Sequence, residues 1–180
     1  MRHDAGAQPE GGIMATDDAV RGALCVQMGR EFAAHFQYLA MSAWLEEQGL
    51  PEMASFFARQ ADEEHVHAMK FFRFVLDTGG PVEIPGQDAP VATFASAEAL
   101  VAAALAQEEQ VTAWIGELVH LAREHRDLAA EAFLQWFVTE QVEEVATMTE
   151  LLQVVRHAGT SLLLVEDYVV RRAPGAGGGA

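Results

Sequence analysis

Cysteine is nearly absent from this chain of 180 residues. Its one thiol, Cys25, excludes an intrachain disulfide and a thiolate metal cluster, and reads as a small core residue of a cytoplasmic protein. Basic residues are scarce: 11 Lys and Arg stand against 27 Asp and Glu, a formal charge of −16. That balance repels phosphate backbones and anionic headgroups, so neither nucleic acid nor a membrane surface is expected as a partner. It suits cations, although a solvated acidic surface is the commoner reason for such a charge. No apolar run reaches the roughly 18 residues of a membrane span. Residues 1–15, MRHDAGAQPEGGIMA, have no apolar core of a signal peptide and read as a flexible extension. Prolines number six, and three of them (Pro81, Pro85, Pro90) share one stretch.

What remains is long, proline-poor and rich in Ala, Leu, Val and Glu, as helices prefer. The length suits one domain, residues 16–171. Thr16-Asp17-Asp18 is a plausible cap for a first helix to about Gln48, and Gly49-Leu50-Pro51 is a stop and restart. A second helix runs from Pro51 to about Asp77, where Thr78-Gly79-Gly80-Pro81 ends it. Residues 82–95 show no helical period. A connection this long needs a reason, and a crossover along a bundle is one, because it lets the second and third helices run parallel. Ser96 caps a third helix to about Glu124, and a fourth follows His125-Arg126-Asp127 to about His157. A short fifth helix, from Ser161 to about Arg171, begins with Leu162, Leu163, Leu164 and Val165 and is expected to bury itself against another chain. Residues 172–180 are Gly-rich and read as a disordered tail. The expected fold is all-α: a four-helix bundle with one long crossover and a short fifth C-terminal helix.

Each long helix carries acid on the stripe that should face its neighbours. The second reads Met53, Phe57, Gln60, Glu64, His67, Phe71, Phe74 in steps of three and four, the spacing of an inward seam. A carboxylate there costs several kcal/mol unless a partner offsets it. The first seam holds Glu31, with His35 and Tyr38. The third reads Glu98, Ala102, Leu105, Glu109, Thr112, Gly116, Val119. The fourth holds Glu140 and Glu144. A Glu-x-x-His pair facing inward is half of a carboxylate-bridged di-metal centre in such bundles. One pair is weak evidence, because chance supplies it often, but acids on all four seams at mid-helix can meet at one level. Metal-free, such a cluster repels itself and raises its own pKa values. Oxygen donors with one imidazole suit iron or manganese better than copper, and zinc would also bind. The fourth helix, Glu140-Gln141-Val142-Glu143-Glu144, lacks the second histidine of a cofactor-type site. Metal at that position is expected to be held less tightly, which fits metal as substrate.

These residues closely resemble the bacterial non-haem ferritins, from about residue 17 to about residue 170. The resemblance is carried by Glu31 with Tyr38 and Met41-Ser42-Ala43-Trp44, by Glu63-Glu64-x-x-His67, by Glu109-Gln110, and by Phe133-Leu134-Gln135-Trp136-Phe137-Val138-x-Glu140-Gln141-x-Glu143-Glu144. It implies that Glu31, Glu64 and His67 bind one iron. Glu64 bridges to a second, which Glu109 and Glu144 complete, with Gln141 close by. Glu63, Glu140 and Glu143 match a third iron site, and Tyr38 a tyrosine beside the centre. The family implies a ferroxidase: Fe(II) enters, O2 or H2O2 takes its electrons, and Fe(III) moves inward as mineral in a hollow shell of 24 subunits. The apolar fifth helix matches the four-fold contact of that shell. Glu124, Asp127 and Glu131 are candidates for an iron inlet, against the plainer reading of a solvated helix start. Haem-binding bacterioferritins are a looser match. Their second Glu-x-x-His is absent, and His65 stands where they place a methionine haem ligand. An interface or surface role is expected for His65, and haem is not.

Two alternatives stand beside ferroxidase storage. One is a smaller di-iron or di-manganese oxidase or peroxidase that keeps its metals. The other is a metal-free helical bundle that acts only as an interaction protein.

Overall fold

A computed structural model describes residues 15–172. Five helices follow in order: α1 (Asp18–Glu47), α2 (Pro51–Asp77), α3 (Ala97–Glu124), α4 (Leu128–Ala158) and α5 (Leu163–Arg172). No strand occurs among the described residues. The extension and the Gly-rich tail expected at the two termini lie outside them, apart from Ala15 and Arg172.

Local chemistry sets the helix ends. The Asp17 carboxylate accepts from Ala19 N at 2.8 Å, Ser96 Oγ from Ala99 N at 3.1 Å, and Asp127 from Ala130 N at 2.9 Å, each quieting an orphan donor of a first turn. Gly49 takes φ 73° in the α1–α2 turn, a conformation that an L side chain resists. Leu50 cannot cap α2 with its side chain. Glu166 of α5 does so from a distance, accepting from Glu52 N at 2.9 Å and Met53 N at 2.8 Å. Nothing in the sequence pattern announced that bond.

The core has two apolar clusters at opposite ends of the bundle. One joins the late part of α1 (Tyr38, Leu45), the early part of α2 (Met53, Phe57), the start of α3 (Leu100, Ala104), the end of α4 (Leu151, Val155), and Val165 and Val169 of α5. The other joins the start of α1 (Leu24, Met28), the end of α2 (Phe71, Val75), the end of α3 (Ile115, Leu118) and the start of α4 (Leu134, Phe137). Helices α2 and α3 therefore run in the same direction, as the crossover required. Stacked rings tie α2 to α4 in the second cluster, Phe71 on Phe137 at 4.3 Å and Phe74 on Phe133 at 4.2 Å. Each fully buried large side chain contributes roughly 1.5–3 kcal/mol.

The crossover lies along α1. Gly80 touches Arg21, Pro85 abuts Gly29, Gln37 exchanges two 2.9 Å hydrogen bonds with the backbone of Val91, and Phe94 packs edge-on against Trp44 at 5.7 Å. Gly29 permits this approach, since a Cβ there would lie 2.8 Å from Pro85 Cγ.

Candidate metal centre

Between the two clusters the core is polar. Glu31 of α1, Glu64 and His67 of α2, Glu108 of α3, and Gln141 and Glu144 of α4 are all buried. One ligand atom each of Glu31, Glu64 and His67 lies within 4.8 Å of the others. His67 Nδ1 is 3.3 Å from Glu64 Oε2, yet neither atom has a hydrogen-bond partner. Glu31 Oε2 and Glu108 Oε2 are likewise buried without a partner. Orphaned atoms of this kind are rare in folded proteins, and four at one level of a bundle form a set of donors suited to a cation.

The remaining oxygens are held in place. Gln27 donates to Glu31 Oε1 at 2.8 Å, and Arg30 fixes that amide by donating to Gln27 Oε1 at 3.1 Å. The buried Tyr38 hydroxyl donates to Glu108 Oε1 in a short hydrogen bond. Thr112 donates to Gln141 Oε1 at 3.0 Å, and Gln60 to Glu144 at 3.3 Å. Trp136 and Phe137 meet the His67 ring edge-on, with centroids 5.4 and 5.9 Å away, and restrict its rotation. Glu31 and Glu108 are thus each oriented through one carboxylate oxygen while the other has no partner.

The metal-free electrostatics are unfavourable. Burial, then the charge of Glu64, push the Glu31 carboxyl well above its ordinary range. Burial, then Glu108, do the same to Glu64. Burial raises Glu108 to about 7 although the Tyr38 hydroxyl opposes the rise. Burial and Glu108 raise Glu144 to about 8. Burial and Glu108 also raise the Tyr38 phenol. A divalent cation favours the ionised forms and removes the conflict.

One expectation is corrected. Glu109 is exposed, and the acid that α3 sends inward is its neighbour Glu108. The buried stripe of α3 is Val101, Ala104, Glu108, Val111, Ile115, Leu118 and Ala122, one step from the stripe expected. The other expected residues fall into two groups. Glu31, Glu64, His67 and Glu144 come together in the core with Tyr38 and Gln141. Glu63, Glu140 and Glu143 line a groove of about 370 Å³ between α2, α4 and α5, on which Glu144 also opens. His67, Glu140 and Glu144 form a second cluster within 4.8 Å, joining groove to core. Sequence reasoning missed Glu108 and Gln27, and it placed Gln60 on the inward seam without giving it a role. For Glu108 the signal was the larger apolar residues on its own stripe.

Two of the candidate inlet residues have local partners. Asp127 caps α4 and accepts from Asp17 N at 3.1 Å, and Glu131 pairs with Arg123 at 2.7 Å. His65 is exposed. No described helix is long and apolar enough to cross a membrane.

Residues 22–158 match the family model of the ferritin-like domain. The chain is 42% identical over 151 residues to ferritin BfrB of Mycolicibacterium smegmatis, covering 84% of this chain and 83% of that protein. It is 37% identical over 124 residues to a bacterial non-heme ferritin of Staphylococcus aureus, covering 69% and 75%. An open pore ferritin from the hyperthermophilic archaeon Archaeoglobus fulgidus superposes with a TM-score of 0.85 at 31% identity, covering 88% of this chain and 99% of that one.

Proposed function

Because this chain belongs to the ferritin family, we propose that it is an iron-storage ferroxidase, with iron as substrate and cargo. Glu31, Glu64 and His67 hold one Fe(II). Glu64 bridges to a second, held by Glu108 and Glu144. Glu63, Glu140 and Glu143 take iron in the adjoining groove. O2 or H2O2 accepts the electrons, Fe(II) becomes Fe(III), and Fe(III) leaves for a mineral inside a shell of 24 subunits in the cytoplasm.

The observation that carries this reading is the set of four buried atoms without partners on Glu31, Glu64, His67 and Glu108. Hard carboxylate oxygens with one imidazole suit iron, and they stabilise Fe(III) more than Fe(II) because the charge is higher. Tyr38 anchors Glu108, and Gln141 lies beside it. The shell reading draws on α5, whose Val165 and Val169 pack on their own bundle while Leu163 and Leu164 remain 77% and 61% exposed. Those two leucines are the surface offered to neighbouring subunits.

The test is aerobic addition of Fe(II) far beyond the centre's capacity, with sizing of the product. Rapid oxidation, followed by iron that stays soluble inside a shell-sized particle, is expected. Oxidation that stops once the centre is full, on a small oligomer, would leave a di-iron oxidase instead.

A further inference from the structure

Two histidines outside the carboxylate centre face one another on the open side of the α1–α2 pair. The His35 and His65 rings have centroids 5.6 Å apart and planes inclined by 57°. His35 is half-buried and His65 exposed. His35 Nδ1 lies 2.7 Å from Ala61 O. A carbonyl oxygen only accepts, so Nδ1 carries the proton and Nε2 keeps its lone pair. That is the tautomer and the backbone anchor by which proteins prepare a histidine to bind metal. Two aromatic neighbours limit ring rotation: Phe36 meets His35 edge-on at 5.1 Å, and Phe32 meets His65 at 6.0 Å.

The separation suits one shared ion. A metal bound about 2.0–2.1 Å from each nitrogen lies roughly 3 Å from each ring centre, so two imidazoles at a tetrahedral angle have centres roughly 5–5.5 Å apart. We propose that His35 and His65 form a two-imidazole site for a borderline divalent transition ion of the Cu2+, Ni2+ or Zn2+ class. The donor set differs from the carboxylate centre, and so does its preference. Imidazole pairs favour Cu2+ and its neighbours in the stability order, whereas the oxygen-rich core suits iron. Two imidazoles leave further coordination positions for water or another donor.

Cu2+ is the probe. The full-length protein is titrated with Cu2+ against a competing chromophoric chelator, for the wild type, His35→Gln, His65→Gln and the double variant. Each single variant is expected to bind one Cu2+ per chain fewer than the wild type and to lose the part of the Cu2+ paramagnetic resonance spectrum split by two nitrogens. The double variant is expected to lose nothing more, because the histidines share one ion. Wild-type stoichiometry in both single variants, or losses that add in the double variant, would overturn the site. Crystals of the unaltered protein soaked in Cu2+ give an independent answer free of folding effects. An anomalous peak between the two rings supports the site, and its absence counts against it.

Discussion

Replacing Glu108 with Gln should make the metal-free protein more stable at pH 8 while weakening its response to metal. The amide mimics a protonated carboxyl in shape and still offers an oxygen to the Tyr38 hydroxyl. In the wild type, Glu108 is pushed up to about 7 from an ordinary 4.5. Between those values the native chain keeps a proton that the unfolded chain has lost. Stability from this group is therefore fully present below about pH 4.5 and is lost as pH rises toward and through 7. At about 1.4 kcal/mol per pKa unit, the loss from pH 5 to pH 8 is roughly 2–3 kcal/mol for Glu108 alone, or about 4–12 °C in Tm for a chain of this size. Glu144, raised to about 8, adds in the same direction, though the two are close enough that their effects do not sum. The assay is calorimetric melting of metal-free protein at fixed concentration, at pH 5 and pH 8, with and without Zn2+ as a redox-inert stand-in for Fe(II). The wild type should melt lower at pH 8 and recover with Zn2+. Glu108→Gln should show a shallower pH slope and a smaller recovery. Equal slopes and equal recovery in the two proteins would refute the placement of Glu108 in the centre.

Three further outcomes follow from the same geometry. Glu109→Gln should oxidise Fe(II) at the wild-type rate, whereas Glu108→Gln should be slower by at least about 10-fold in stopped-flow absorbance, since even supporting groups of metal sites have effects of that size. Glu166→Ala removes both acceptors at the start of α2 and should cost about 1–2 kcal/mol, with faster amide exchange in α5 and in the first turn of α2. Gly29→Ala drives a methyl against Pro85 and should cost about 1–3 kcal/mol in denaturant melts, with cleavage by added protease shifting into residues 82–95.

The sequence made the bundle legible because three kinds of signal agreed. Caps at Asp17 and Ser96 and the turn at residues 125–127 marked helix starts, the prolines at 81, 85 and 90 marked the crossover, and α2 set apolar residues on one face against charged residues on the other. Glu31, Glu64, His67 and Glu144 lie at seam positions that are also buried in the structure, although in α4 the buried stripe runs through Leu134, Gln141 and Met148, one step from Phe133, Glu140 and Thr147. Helix α3 was different. Ala102 and Ala104 put the same small residue on both candidate stripes, and Glu108 and Glu109 are adjacent acids, so the first half of the helix did not fix its rotation. The signal lay further on, in Val111, Ile115 and Leu118, which pack in the second apolar cluster. Glu166 was illegible for another reason. Its partners, Glu52 and Met53, are far away in sequence, and no local period links a fifth helix to the start of the second.

The crossover divides the molecule into two helical hairpins, α1–α2 and α3–α4, and the centre is split along that division. Glu31, Glu64 and His67 belong to one hairpin, and Glu108, Glu140 and Glu144 to the other. Each hairpin closes through a short turn and forms from contacts near in sequence, which fold early. Docking one hairpin on the other must await the crossover, and that late step brings the opposing carboxylates together and strips them of water. The electrostatic penalty therefore falls on the final stage of folding, not on its nucleus. With metal bound as proposed, acid or a divalent ion should speed that stage and leave hairpin formation unchanged.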